Sequence, residues 1–172
     1  LNRYFGVERT PLVFAGVDYL FPIFQQACSY SALVETPVTG NPDDVSAKEL
    51  HPQVWDVVEP LFEAERTEAL EQYHNAVGND QTAAGIEEIV RAAQQGAVDT
   101  LLVGLDEQRW GRFDEKTGEV ELTDADAEGA EELINLASVF TLNNGGRVYS
   151  METRKLPESE PCVAALRFPV QV

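Results

Sequence analysis

A chain of 172 residues with 44% apolar side chains has enough material to bury one ordinary core or two small ones. Thirty Asp and Glu against twelve Lys and Arg give a net charge of −18, a field that repels phosphate and anionic lipid and argues against nucleic-acid binding over the whole surface. The acids are spread along the chain, no apolar run is long enough for a membrane-spanning helix, and no charged-then-apolar signal opens the sequence, so a cytoplasmic protein is expected.

Pro11 to Ala15 is a continuous apolar run ending at Gly16 and predicts a short strand buried on both faces. Val17 to Cys28 keeps Leu20, Phe21, Ile23, Phe24 and Ala27 on one helical face, with Pro22 tolerated in a first turn or at a kink. Thr36 to Asp44 carries the Pro, Gly and Asn of a loop. Ser46 followed three residues later by Glu49 fits a capping box, and the long helix it opens holds Leu50, Val54, Val57, Val58, Leu61, Phe62, Leu70, Tyr73 and Val77 in a stripe that Pro52 and Pro60 should bend or split. Gly78 to Gln81 breaks that pattern and divides the chain into residues 1–80 and 81–172.

The second part opens with a helix carrying Ile86, Ile89, Val90 and Ala93, with Gly96 where a left-handed cap belongs. Val98 to Val103 reads as a central strand, and Arg109 to Leu122 as a hairpin whose turn lies in Asp114 to Glu119. Asp124 to Asn144 is expected to be one helix, acidic in its first turns, with Ala130, Leu133, Ile134, Ala137 and Phe140 inward. Strands at Arg147 to Met151 and Cys162 to Phe168 complete an α/β layered pattern.

Few residues suggest chemistry. Cys28 and Cys162 lie far apart in apolar stretches and read as free buried thiols. His51 and His74 lack neighbours at metal-ligand spacing, Asp43 and Asp44 read as a solvated turn, and no serine sits in a nucleophile elbow, so no catalytic, cofactor or metal residue is expected. Asn143 to Gly146 could offer amides to an anion or simply close a helix. Glu128, Glu131 and Glu132 could face a basic partner or form a solvated helical face. Trp110, flanked by Arg109 and Arg112, is the candidate partner-binding group, since an aromatic between two arginines can stack on a base or anchor a protein contact. The alternative is that Trp110 covers the edge of its own core.

Three segments carry a resemblance. Gln95 to Val103 (QGAVDTLLV), Gly145 to Ser150 (GGRVYS) and Ala164 to Pro169 (AALRFP), in that order, resemble the last domain of the archaeal and eukaryotic peptide-chain release factors and of the ribosome-rescue protein Pelota. Pro11 to Gly16 and the helix after it look like the second half of that family's central domain. The stretches PLVFAGVDYL, GNPDDVSAKELHPQVW and WGRFDEKTGEVEL are similar to a bacterial branch of the family. The resemblance implies an α/β/α sandwich of the kink-turn-binding ribosomal-protein kind for the last domain, preceded by part of a ribonuclease-H-like α/β domain. It also implies docking on the ribosome or on a translational GTPase, which the last domain contacts in that family. The family's Gly-Gly-Gln loop does not occur in these residues, so peptidyl-tRNA hydrolysis by them is not expected. Leu1 to Phe5 look like the opening of a helix that relatives continue for several turns, whereas Gly6 follows at once here. Two other readings stay open: a hydrolase acting on peptidyl-tRNA or RNA, and kink-turn RNA binding, which a patch formed by Arg109, Arg112 and Arg147 would favour.

Overall fold

The computed structural model describes residues 10–41, 45–157 and 160–169; the helix opening expected at Leu1 to Phe5 and the turn expected at Asp43 and Asp44 fall outside the described residues. The chain forms two compact units, Leu1–Ala64 and Glu65–Val172, so the division by packing falls inside a helix, ahead of the Gly78 to Gln81 break.

In the first unit, β1 (Ala15–Gly16) pairs in parallel with β2 (Val38–Thr39), and a bridge between Leu12 and Leu33 extends the pairing. Between the strands lie a 3-10 turn (Asp18–Leu20) and α1 (Phe21–Ala27), with Pro22 in the first helical turn, where its missing amide costs nothing. The result is a strand–helix–strand crossover. Two sequence expectations need correction here. Pro11 to Ala15 is half-buried rather than buried on both faces, and only its last residue joins a regular strand, because β2 supplies just two partners. The expected loop at 36–44 contains that second strand.

The helix α2 (Ala47–Val77) is opened by the capping box: the Ser46 amide and hydroxyl donate to Glu49 Oε2 at 3.0 and 2.7 Å, and the Glu49 amide points back to Ser46 Oγ at 3.4 Å. The hydrogen bonds from the Ser46 side chain and backbone hold the Glu49 carboxyl below the ordinary carboxylate range. Pro52 and Pro60 do not split α2. Both stand at exposed positions, where solvent can satisfy the carbonyls of Lys48 and Asp56 that lose their helical donors.

In the second unit, a four-stranded sheet runs in the order β3 (Thr82–Ala84), β9 (Cys162–Leu166), β4 (Val98–Gly104), β8 (Arg147–Met151); β4 and β8 are parallel and the other neighbours antiparallel. Strand alternation assigns the faces. Leu101, Cys162, Ala164 and Leu166 point to a core shared with Ile89, Val90 and Ala93 of α3 (Ile86–Gln94) and with Leu133, Ile134 and Ala137 of α4 (Leu133–Asn143). Leu102, Met151 and Val163 point the other way, against Ala69 and Tyr73 from the last turns of α2. A sheet between two helical layers is the expected α/β/α sandwich. Gly96 takes the left-handed conformation after α3, with φ 72°. The short edge strand β3 was not legible in the sequence, since Thr82 to Ala84 offers only three residues.

A second, three-stranded sheet has the order β6 (Val120–Leu122), β5 (Trp110–Phe113), β7 (Glu131–Glu132). The β5–β6 hairpin is as expected. The helix expected over Asp124 to Asn144 is not: α4 spans only its second half. Gly129 adopts φ 77°, which ends any helical path, and Glu131 and Glu132 pair with Gly111 and Trp110 instead. Glu128, Glu131 and Glu132 therefore form no helical face.

Candidate docking surface

The alternation of β5 puts Gly111 and Phe113 on its inner side, where Phe113 meets Phe140 edge-on at 5.7 Å between ring centroids. A Cβ on Gly111 would approach Glu121 O to 2.6 Å and Leu133 Cδ1 to 2.7 Å, so the hairpin lies tight on α4. Trp110 and Arg112 take the opposite side, half-buried and exposed respectively. Both arginines are engaged within the unit. Arg112 donates from Nε to Glu128 O at 2.8 Å and from Nη1 to Glu121 Oε2 at 3.4 Å. Arg109 donates from Nη1 to Glu107 Oε2 at 3.2 Å and to Gln108 O at 2.8 Å. Arg147 starts β8 opposite Thr100 and bonds to different groups, so the three arginines do not share partners as one basic patch.

Arg147 belongs to a polar cluster at the N-terminal end of β4. Val98 pairs with Leu166 and Thr100 with Ala165, which leaves Asp99 bulged out of the ladder. Its carboxylate accepts hydrogen bonds from Gln72 Nε2 and from Arg147 Nη2, the latter at 3.2 Å, while Arg167 Nε lies 3.6 Å from the other oxygen. Arg167 Nη1 also donates to Gly96 O at 3.2 Å and Asn144 O at 3.1 Å, and the Asn144 amide donates to Ala93 O at 2.9 Å. The three segments that carry the sequence resemblance thus meet at this one end of the sheet. Their residue types answer to mutual packing. Asn143 to Gly146 likewise closes α4: the Gly145 and Gly146 amides donate to Leu142 O and Thr141 O.

The second candidate surface was missed in the sequence because its helix was drawn too long. The eleven residues of α4, LINLASVFTLN, contain no charged side chain in a chain that is 24% charged. Leu133, Ile134, Ala137 and Thr141 are buried, and the outward positions are Asn135, Val139, Leu142 and Asn143. Val139 is 43% and Leu142 58% exposed. The fourteen uncharged residues from Leu133 to Gly146 were visible in the sequence and are the signal that could have found this face.

Among the described residues no group of three or more His, Cys, Asp or Glu could hold a metal ion, and no helix is long and apolar enough to cross a membrane. His51 stacks on Trp55 and His74 lies edge-on to Tyr73. Both cysteines are free; Cys162 is buried and Cys28 half-buried.

The family model described as bacterial archaeo-eukaryotic release factor family 3 matches residues 1–97, more than half of the sequence. The chain belongs to that family. The fold of this family member is similar to the C-terminal domain of the peptide chain release factor from Methanosarcina mazei, at 15% identity and a TM-score of 0.53, over 73% of this chain and 95% of that domain. It is also similar to a chain in the "Model of ribosome-bound archaeal Pelota and ABCE1", at 19% identity and a TM-score of 0.56. That likeness covers 99% of the family 3 chain and 46% of the archaeal one, so this chain spans less than half of its length. At these identities the likeness is one of fold. No curated protein matches the sequence.

Proposed function

We propose that this release-factor-family chain is a translation-associated binding protein that docks on the ribosome, on a translational GTPase, or on both, in termination, rescue or hibernation. Residues 81–172 act as the protein-contact domain, and residues 1–80 as the second half of a release-factor-like central domain. The observation that carries this reading is the uncharged outer face of α4. Val139 and Leu142 stand exposed beside Asn135 and Asn143, a composition suited to the desolvated centre of a protein contact. Family membership and the shared fold with a chain from a ribosome-bound archaeal assembly support placing that contact in translation.

Arg109, Trp110 and Arg112 are proposed as a second part of the contact, with Trp110 on the hairpin's outer side as its aromatic anchor. The charge of −18 favours basic ribosomal proteins over bare RNA as the surface approached, and makes the encounter weaken with salt. Hydrolysis of peptidyl-tRNA is not assigned to residues 1–172, which contain no Gly-Gly-Gln. The test is co-sedimentation with ribosomes from the same organism, at low and high salt, with and without translational GTPases. Salt-sensitive binding that the GTPases strengthen is expected; no binding to either under any condition overturns the proposal.

A further inference from the structure

The first half of α2, within the first unit, carries a row of aromatic rings that neither the α4 face nor the hairpin involves. Residues 51, 55 and 62 fall within about 40° of one another at 3.6 residues per turn. His51 and Trp55 stack with ring planes 9° apart and centroids 6.3 Å apart, and the Trp55 and Phe62 centroids are 6.1 Å apart. Trp55 nevertheless remains 42% exposed. A tryptophan ordered by ring neighbours on either side, with its own surface open to solvent, is the residue type that most often anchors a protein contact.

The charges beside the row identify what it fits. Asp56, Glu59 and Glu63 are exposed and follow Trp55 on the flank of the row, Glu59 and Glu63 each one turn after the last. The only cation between residues 45 and 64 is Lys48. An aromatic face bordered by carboxylates attracts a guanidinium or ammonium group twice, through the ring quadrupole and through the charge. The same carboxylates repel a phosphate backbone, so base stacking on Trp55 by RNA is opposed by the flank that favours a cation.

We infer that the Trp55 row is a docking site for an arginine- or lysine-bearing protein segment, held by cation–π contact on Trp55 and ion pairing with Asp56 and Glu59. The site belongs to the first unit and stands whether or not the second unit docks on the ribosome.

The test is fluorescence anisotropy of a short labelled peptide alternating arginine and serine, titrated with the 172-residue chain and its variants. Saturable binding that salt weakens is expected, with W55A roughly tenfold weaker and D56N/E59Q severalfold weaker. E115Q/E119Q, which removes the same charge from the hairpin turn, should bind as the wild type does. The inference is overturned if W55A binds as tightly as the wild type, if E115Q/E119Q weakens binding as much as D56N/E59Q, or if a labelled single-stranded RNA oligonucleotide, titrated alone, binds the chain and loses that binding in W55A. Circular dichroism checks the helix in W55A; should that variant lose structure, the exposed pair D56N/E59Q against E115Q/E119Q decides the matter.

Discussion

Arg147 Nη2 donates to Asp99 Oδ2 at 3.2 Å across 48 residues of sequence, tying the start of β8 to the bulge in β4. The bulge matters because it takes Asp99 out of the ladder and turns its carboxylate towards Gln72, Arg147 and Arg167. Arg147 is half exposed and Asp99 about a third, so solvent screens the pair and its worth is on the order of 1 kcal/mol. D99N should lower the free energy of unfolding by about that amount, measured by urea denaturation, and should do so without changing the m-value. A loss no larger than experimental error would mean that the bulge, and not the charge, holds this end of the sheet.

The pH dependence of that difference follows from the same contacts. Burial pushes the Asp99 carboxyl up, but hydrogen bonds from Gln72 and Arg147, the Arg147 charge and the Thr100 hydroxyl outweigh it, so the folded value lies below the ordinary 3.8. A depressed carboxyl contributes stability above its unfolded pKa and loses it as pH falls through the folded one. The gap in stability between wild type and D99N should therefore be constant from neutral pH down to the ordinary carboxylate range and close below it. A gap that persists well below that range would assign the effect to the neutral hydrogen bonds.

Glu132 is the N-cap of α4, accepting from the Ile134 and Asn135 amides at 3.2 and 2.6 Å, and it also accepts from the Arg109 amide at 3.0 Å. Its side chain ties the entry of the hairpin to the start of the helix. E132A should destabilise by about 1–2 kcal/mol, the range for loss of a strong cap, read as a shift in thermal midpoint. E131A, whose side chain has no such role in the described hydrogen bonds, is the control and should cost less.

This cap also shows where the sequence stopped being informative. The helix stripe of Ile86, Ile89, Val90 and Ala93, the Gly96 cap, the central strand from Val98 and the Ser46 to Glu49 box were all legible, because each rests on local spacing that tertiary contacts do not change. The start of α4 was not. Glu is an uncommon N-cap, and the acids from Asp124 to Glu132 imitate the dipole preference of a first helical turn, so charge and periodicity pointed to the wrong residue. The Asp99 cluster was hidden for another reason: it joins residues from α2, β4, β8 and the chain after β9, and a bulge leaves no mark on a single strand. Of the candidate site, the local pattern of Trp110 between Arg109 and Arg112 on a hairpin was enough to propose those residues, whereas the carbonyls and carboxylates that engage the arginines depend on β7 and β6 folding beside them.

Burial pushes the Cys162 thiol from 9.0 up to about 12, with Arg109 opposing that rise and Glu132 and Glu160 adding to it. The thiolate is the reactive form, and its fraction at neutral pH falls by about a thousandfold over that shift. In a C28S background, Cys162 should therefore label far more slowly with a thiol-specific reagent than the half-buried Cys28 does in C162A, and it should become fast in urea. Rapid labelling of native Cys162 would mean that β9 opens locally, which its central place in the sheet argues against.

The proposed docking role makes its sharpest demand on α4. Substituting V139E and L142E together adds two charges at positions that are already exposed, so the fold and the thermal midpoint should change little. Binding should not be so tolerant, because a carboxylate at the centre of a contact must be desolvated without a partner there to pair it. A loss of roughly tenfold or more in co-sedimentation with ribosomes or translational GTPases is expected. R109A/R112A should weaken the same binding less, since both arginines are already engaged by groups of their own unit and offer a partner fewer free donors. The opposite order, with the arginine pair decisive and the α4 pair neutral, would move the contact from the helix to the hairpin while leaving the docking role in place. Equal insensitivity of both would remove the second unit from the contact.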